Sequence, residues 1–226
     1  MSVITKAAVA AIATLLVATP LGAQERAGRA TAVQPAAFQA TGAVGYAVKK
    51  NAEIYQQARV YTKQYGTIEI RLEDGTNLTV APNASLVIDD YVFAGETRPG
   101  SLALSLSRGA IRMVSGRMPK DGVAVTTPVA TIGVRGTTIW VSAASEQETE
   151  VWVTDGIGIV STRDSAEVYE LTAPAHATCS ASGCEVGGSP PVPMINPLGR
   201  GTGAGGGFGG DREPEPEREG HSDRDG

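Results

Sequence analysis

The stretch Val123-Ala124-Val125-Thr126-Thr127-Pro128-Val129-Ala130-Thr131-Ile132-Gly133-Val134-Arg135-Gly136-Thr137-Thr138-Ile139-Trp140-Val141 decides the fold. β-Branched residues fill most positions between its breaks, the composition of strands rather than helices. It reads as one strand, a corner broken by Pro128, a second strand holding Gly133 and Gly136, and a third apolar strand. An isolated glycine in a strand marks a bulge or a close backbone approach, so one or the other is expected at Gly133 and at Gly136.

The same pattern extends outward. Thr67 to Leu72 alternates polar and apolar residues with period two, so one face is buried and one is wet. Glu73-Asp74-Gly75-Thr76 is a turn, and Asn77 to Val80 resumes the alternation. Pro82-Asn83 turns again before Ser85 to Ile88. Leu102 to Leu106 alternates, Arg108-Gly109 reads as a turn, and Ala110 to Val114 follows. Glu150 to Thr154, Asp155-Gly156 and Ile157 to Val160 read as a hairpin. Turns about every ten residues predict an all-β fold of short strands, as a sandwich, a barrel or a solenoid-like stack. Gly42 to Gly66 carries both helical spacing and alternation, and two short strands are expected there.

The ends read differently. Lys6, an apolar run from Ala7 to Ala18, and Leu21-Gly22-Ala23 read as a secretory signal cleaved near Ala23. The run is shorter than the roughly 18–20 residues that span a bilayer. A periplasmic or secreted location is therefore expected. Residues 24–41 read as a linker, 42–186 as the domain and 187–226 as a disordered Gly/Pro/acidic tail. The formal charge is −5, and the tail from Asp211 holds seven acids against three arginines. Neither tail nor body offers the basic face a nucleic acid requires.

An inventory of reactive groups points away from catalysis. The two histidines are His176, after the main strands, and His221, in the tail. No orienting acid accompanies His176 and Cys179. Asp89-Asp90 read as a solvated turn, because adjacent residues of a strand face opposite ways. Gly203 to Gly210 lacks the Lys-Ser/Thr of a phosphate loop. No cofactor and no metal site is expected. Cys179 and Cys184 read as a disulfide in an oxidising compartment, with free thiols and a metal pair as the alternatives.

Two segments resemble a known family. Asp74-Gly75-Thr76 followed by an alternating strand and Ser85 resembles the element of the FecR domain in which a DG[ST] turn leads to a Ser-bearing turn. Thr127, Pro128, Ala130, Gly133, Val134, Arg135, Gly136 and Thr137 are similar to that family's signature, "TP-x-A-x-x-G-V-R-G-T". Val151 to Val160 resembles its closing strands, so the likeness runs from about Gly42 to Thr162. It implies a periplasmic all-β domain built as a solenoid-like or twisted β-roll arrangement. In the best-known members that domain belongs to inner-membrane regulators of iron-uptake transcription, which sense a loaded outer-membrane transporter and signal to a cytoplasmic sigma factor. The secretory reading of the N-terminus disfavours that transmembrane role. The expected function is a non-catalytic extracytoplasmic binding or sensing module for an envelope protein or a surface polymer. A structural or assembly protein of the envelope is the alternative. Arg135 is read first as pairing with a local acid or a turn carbonyl, and second as a guanidinium offered to a partner.

Overall fold

The computed structural model describes residues 24–119 and 121–187. The secretory-signal reading and the tail beyond residue 187, His221 included, lie outside the described residues. All regular structure described is strand: β1 (Arg26–Gln34), β2 (Ala37–Thr41), β3 (Val44–Val48), β4 (Glu53–Tyr55), β5 (Arg59–Thr62), β6 (Thr67–Leu72), β7 (Asn77–Val80), β8 (Ser85–Val92), β9 (Ser101–Val114), β10 (Val123–Thr126), β11 (Ala130–Ala143), β12 (Thr149–Thr162), β13 (Val168–Thr172), β14 (Ala175–Ser180) and β15 (Gly183–Gly187). Hydrogen bonds join them into one open sheet.

Three strands of 14 residues, β9, β11 and β12, organise that sheet. Each changes neighbours halfway along. The first half of β9 pairs with β8 and, in parallel, with β10; its second half pairs with β7 and β11. The first half of β12 pairs with β14 and its second half with β13. One half-sheet therefore runs β3-β2-β5-β8-β9-β10-β11-β12-β13, and the other runs β4-β1-β6-β7-β9-β11-β12-β14-β15. Their apolar faces merge into one core. Leu102, Leu104, Leu106, Val125, Ile132 and Val160 come from the first half-sheet, and Ile70, Leu78, Ile111, Met113, Ile139 and Val151 from the second.

The bends lie at glycines. Gly109, Gly136 and Gly156 have φ of 79°, 57° and 78°, a region where a side chain would meet its own carbonyl. At the second and third bends the β11–β12 register shifts between Arg135 and Ile139. Arg108-Gly109 and Asp155-Gly156 are therefore not hairpin turns. The residue types that supply positive φ to a turn here supply it to a bulge inside a continuous strand.

The N-terminal reading also needs correction. Residues 24–41 are not a linker, because β1 and β2 belong to the sheet and Ala27, Ala30, Ala37 and Ala40 are buried. Alanines suffice there because the partners supply bulk: Ala30 pairs with Ile70, and Gly28 lies against the Leu72 backbone. The 42–66 segment holds three strands rather than two, β3, β4 and β5. Asn51 and Gln57 turn the chain between them at φ of 68° and 59°. Asp89 and Asp90 sit on exposed backbone of β8, beside a register shift, rather than in a turn.

Candidate functional site

The first motif folds into a buried polar knot between the two half-sheets. The Asp74 side chain is fully buried. Its carboxylate accepts hydrogen bonds from the Thr76 backbone N–H (3.1 Å), the Thr76 hydroxyl (2.6 Å) and the Tyr91 hydroxyl (3.2 Å). The Tyr91 oxygen in turn accepts from the Asp74 N–H at 2.7 Å. Tyr91 comes from β8, so this bond ties one half-sheet to the β6–β7 turn of the other. Gly75 provides the turn with φ of 90°. Burial pushes the Tyr91 phenol up from the usual tyrosine range; the Asp74 carboxylate adds to this, and the Asp74 N–H opposes it.

The second motif is divided between two places. Thr127 and Pro128 form the corner from β10 into β11. The Thr127 hydroxyl donates to the Ala130 carbonyl (3.0 Å) and accepts from the Ala130 N–H (3.1 Å) and the Thr149 hydroxyl (2.8 Å). Ten residues on, Gly136 and Thr137 occupy the β11 bend. The buried Thr137 hydroxyl donates to the Asp155 carbonyl, across from the bend in β12.

The two motifs meet through Ser115-Gly116-Arg117, which follows β9. Ser115 N–H donates to the Thr137 carbonyl (3.0 Å), and the Ser115 hydroxyl accepts from Thr137 N–H (3.2 Å). Gly116 N–H donates to the Thr76 hydroxyl (3.0 Å), and Arg117 N–H to the Asp74 carbonyl (2.9 Å). A Cβ on Gly116 would lie 2.3 Å from the Thr76 nitrogen. Asp74, Thr76, Ser115, Gly116 and Thr137 thus form one continuous network. Sequence reasoning missed Tyr91 and Ser115-Gly116. Gly116 was the available signal, a glycine directly after a long alternating strand.

The remaining motif residues stand apart from it. Ser85 opens β8, buried, with its carbonyl accepting from the Ser107 hydroxyl (3.3 Å). Gly133 makes no close approach, since the nearest atom to a Cβ there would be the Ile159 oxygen at 3.7 Å. Its register with β10 and β12 is also regular, so the expectation of a bulge or close approach at Gly133 is corrected, and the tight contact lies at Gly156, whose Cβ would come 2.5 Å from the Gly136 oxygen. Arg135 is half exposed and pairs through Nε with Asp121 at 2.9 Å. It borders a shallow groove of about 340 Å³ with Val123, Thr131, Gly133, Ile159 and Ser161. Cys179 and Cys184 form a disulfide across the β14–β15 hairpin.

The polar atoms of the network are engaged by neighbours inside the fold. Among the described residues no group of three or more His, Cys, Asp or Glu could hold a metal ion. No described helix is long and apolar enough to cross a membrane. The sheet's open edges carry most of the exposed large apolar side chains among the described residues. Val44 (75% exposed) and Tyr46 lie on β3, Val168 (62% exposed) on β13 and Val186 on β15.

Residues 58–157 match the model of the family described as FecR protein. No curated protein matches the chain. Two crystal structures of a candidate anti-sigma factor from Parabacteroides distasonis ATCC 8503 are similar at 18% identity, with TM-scores of 0.45 and 0.46. The similarity covers 57% of this chain and 57% of theirs, so the match spans little more than half their length. The matched span contains both motifs, the knot at Asp74 and all three strand bends. Residues 58–157 of this chain carry a FecR domain.

Proposed function

We propose that the protein is a non-catalytic, extracytoplasmic binding or sensing module that recognises an envelope partner through the open edges of its sheet. The observation that carries this reading is that four of the six exposed large apolar side chains among the described residues fall on edge strands, Tyr65 and Val92 being the other two. Val44, Tyr46, Val168 and Val186 all lie on edge strands, whose unpaired N–H and C=O groups can template an added strand. The motif residues, by contrast, are engaged in holding the fold. The expected secretory signal is the ground for an extracytoplasmic location. The same edges would serve an assembly protein, with a second copy as the added strand.

The test is capture of the partner by the full-length chain from an envelope extract, repeated with Val44→Asp and Val168→Asp. A charge on an edge blocks strand addition and leaves the core untouched. One stoichiometric envelope protein, lost in an edge variant, supports the reading. A partner retained by both edge variants contradicts it. Capture of the chain by itself alone favours the assembly reading.

A further inference from the structure

The outer face of β1 and β6 holds two like charges that the fold leaves unbalanced. Arg29 and Arg71 stand directly opposite each other on these antiparallel strands. Both are exposed, and the buried Ala30, Ile70 and Leu72 alternate with them, so both side chains leave the sheet on its solvent face. Opposite residues of an antiparallel pair have Cβ atoms about 5 Å apart, and like charges placed there destabilise the pairing. Among the described residues neither guanidinium takes part in a hydrogen bond or an ion pair.

The acids nearest in register are engaged elsewhere. Glu53, opposite Arg29 on β4, accepts from the Tyr55 hydroxyl (2.8 Å) and from Arg26 Nη1 (3.3 Å). Those two bonds do most to hold its carboxyl below the usual carboxylate range, and Arg29 contributes least. Glu73 accepts from Arg26 Nε (3.0 Å) and Nη2 (2.5 Å). Glu69, two residues from Arg71 on β6, is not within ion-pair distance of it.

The two arginines border an open groove of about 270 Å³, together with Gly28, Thr31, Leu72 and Glu73. The Arg71 guanidinium reaches toward the family's turn: a Cβ on Gly75 would lie 3.9 Å from its Nη2. Glu73 does not oppose an anion in this groove, because Arg26 neutralises it. One doubly charged group with several acceptor oxygens would turn the repulsion between Arg29 and Arg71 into two attractive contacts. A phosphate group has that chemistry, and the planar fork of arginine bonds its oxygens two at a time. A carboxylate carries one charge and saturates one fork.

We propose that Arg29 and Arg71 form a seat for a dianionic phosphate group, with one guanidinium on each side of it. The seat lies on β1 and β6, apart from the edge strands β3, β13 and β15, so it stands or falls independently of the edge reading above. The probe is inorganic phosphate at about pH 8, where it is a dianion. Urea midpoints of the full-length protein are followed through a phosphate titration for the native chain, R29Q, R71Q and R135Q. A ligand of the folded state alone raises stability with its concentration. Phosphate also stabilises proteins generally by exclusion from their surface, so the decisive quantity is the difference between native chain and variants. The expected result is a fitted phosphate affinity about tenfold weaker in R29Q and R71Q, each of which loses a charge-assisted contact, and unchanged in R135Q. In the native chain the Arg29 and Arg71 Nε–H resonances should move together during the titration. Equal phosphate responses in the native chain, R29Q and R71Q overturn the proposal, as does equal movement of all arginine resonances. Sedimentation with phosphatidylcholine vesicles containing phosphatidic acid separates the sources. Pelleting that R71Q abolishes places the phosphate on a lipid headgroup; a phosphate response without pelleting places it on a soluble compound.

Discussion

At the residue scale, the Asp74 knot shows what the family's turn motif accomplishes. Its donors and acceptors lie where water cannot replace them, so losing one partner exposes the other to a full desolvation penalty. Asp74→Ala should destabilise the fold by about 2–4 kcal/mol, read as a lower urea midpoint with an unchanged slope. Tyr91→Phe leaves the Asp74 N–H without its acceptor and should cost about 1–3 kcal/mol. The raised Tyr91 phenol also sets a pH dependence. Its contribution is fully present below the unfolded tyrosine pKa of about 10 and is lost as pH rises beyond it, because only the unfolded chain ionises freely there. Urea titrations at pH 8 and 10.5 should show native stability falling more steeply than that of Tyr91→Phe. Arg135 provides the contrast. Its bridge to Asp121 is solvent-exposed, and Arg135→Ala should change stability by less than about 0.5 kcal/mol.

At the element scale, the governing feature is three long strands that bend rather than six short strands that turn. Gly156→Ala places a Cβ against the Gly136 oxygen at a φ of 78° and should cost at least about 2 kcal/mol. Gly133→Ala meets only ordinary contacts and should be near neutral. Thermal unfolding of the two variants side by side distinguishes bend glycine from strand glycine. Composition alone made the strands legible: the alternation at Thr67 to Leu72 and Leu102 to Leu106 fixed which face enters the core. The bends were not legible, since Arg108-Gly109 and Asp155-Gly156 have the same chemistry as hairpin turns. What separates the cases is whether the chain ahead reverses, a long-range property of pairing. Likewise β1 escaped notice because its core positions are alanines that fit only against Ile70 and Leu72 on a strand about 40 residues away. The Cys184→Ser change should cost about 2 kcal/mol by loop entropy and loosen β15 without unfolding the rest of the sheet.

At the scale of the whole molecule, one sheet folds over its own core and leaves β3, β4, β13 and β15 at its margins. The family motifs lie where the half-sheets are joined, and the exposed Val44, Val168 and Val186 lie where they end. That division accounts for what the sequence revealed of the site. The motif positions were visible as Asp74-Gly75-Thr76 and Thr127 to Thr137, but their meeting through Ser115-Gly116 needs β9 to pass between them. The edges were invisible, because an edge is defined by the strand that is missing. The central claim is that the motifs build the fold and the margins do the recognising. Site-specific photo-crosslinking in producing cells tests it most directly, with the probe placed in turn at Val44, Val168 and Arg135. The expected result is a discrete adduct with one envelope protein from an edge position, unchanged in yield by Arg135→Ala when read from that edge. An adduct formed at Arg135, with both edge probes silent, would contradict the account.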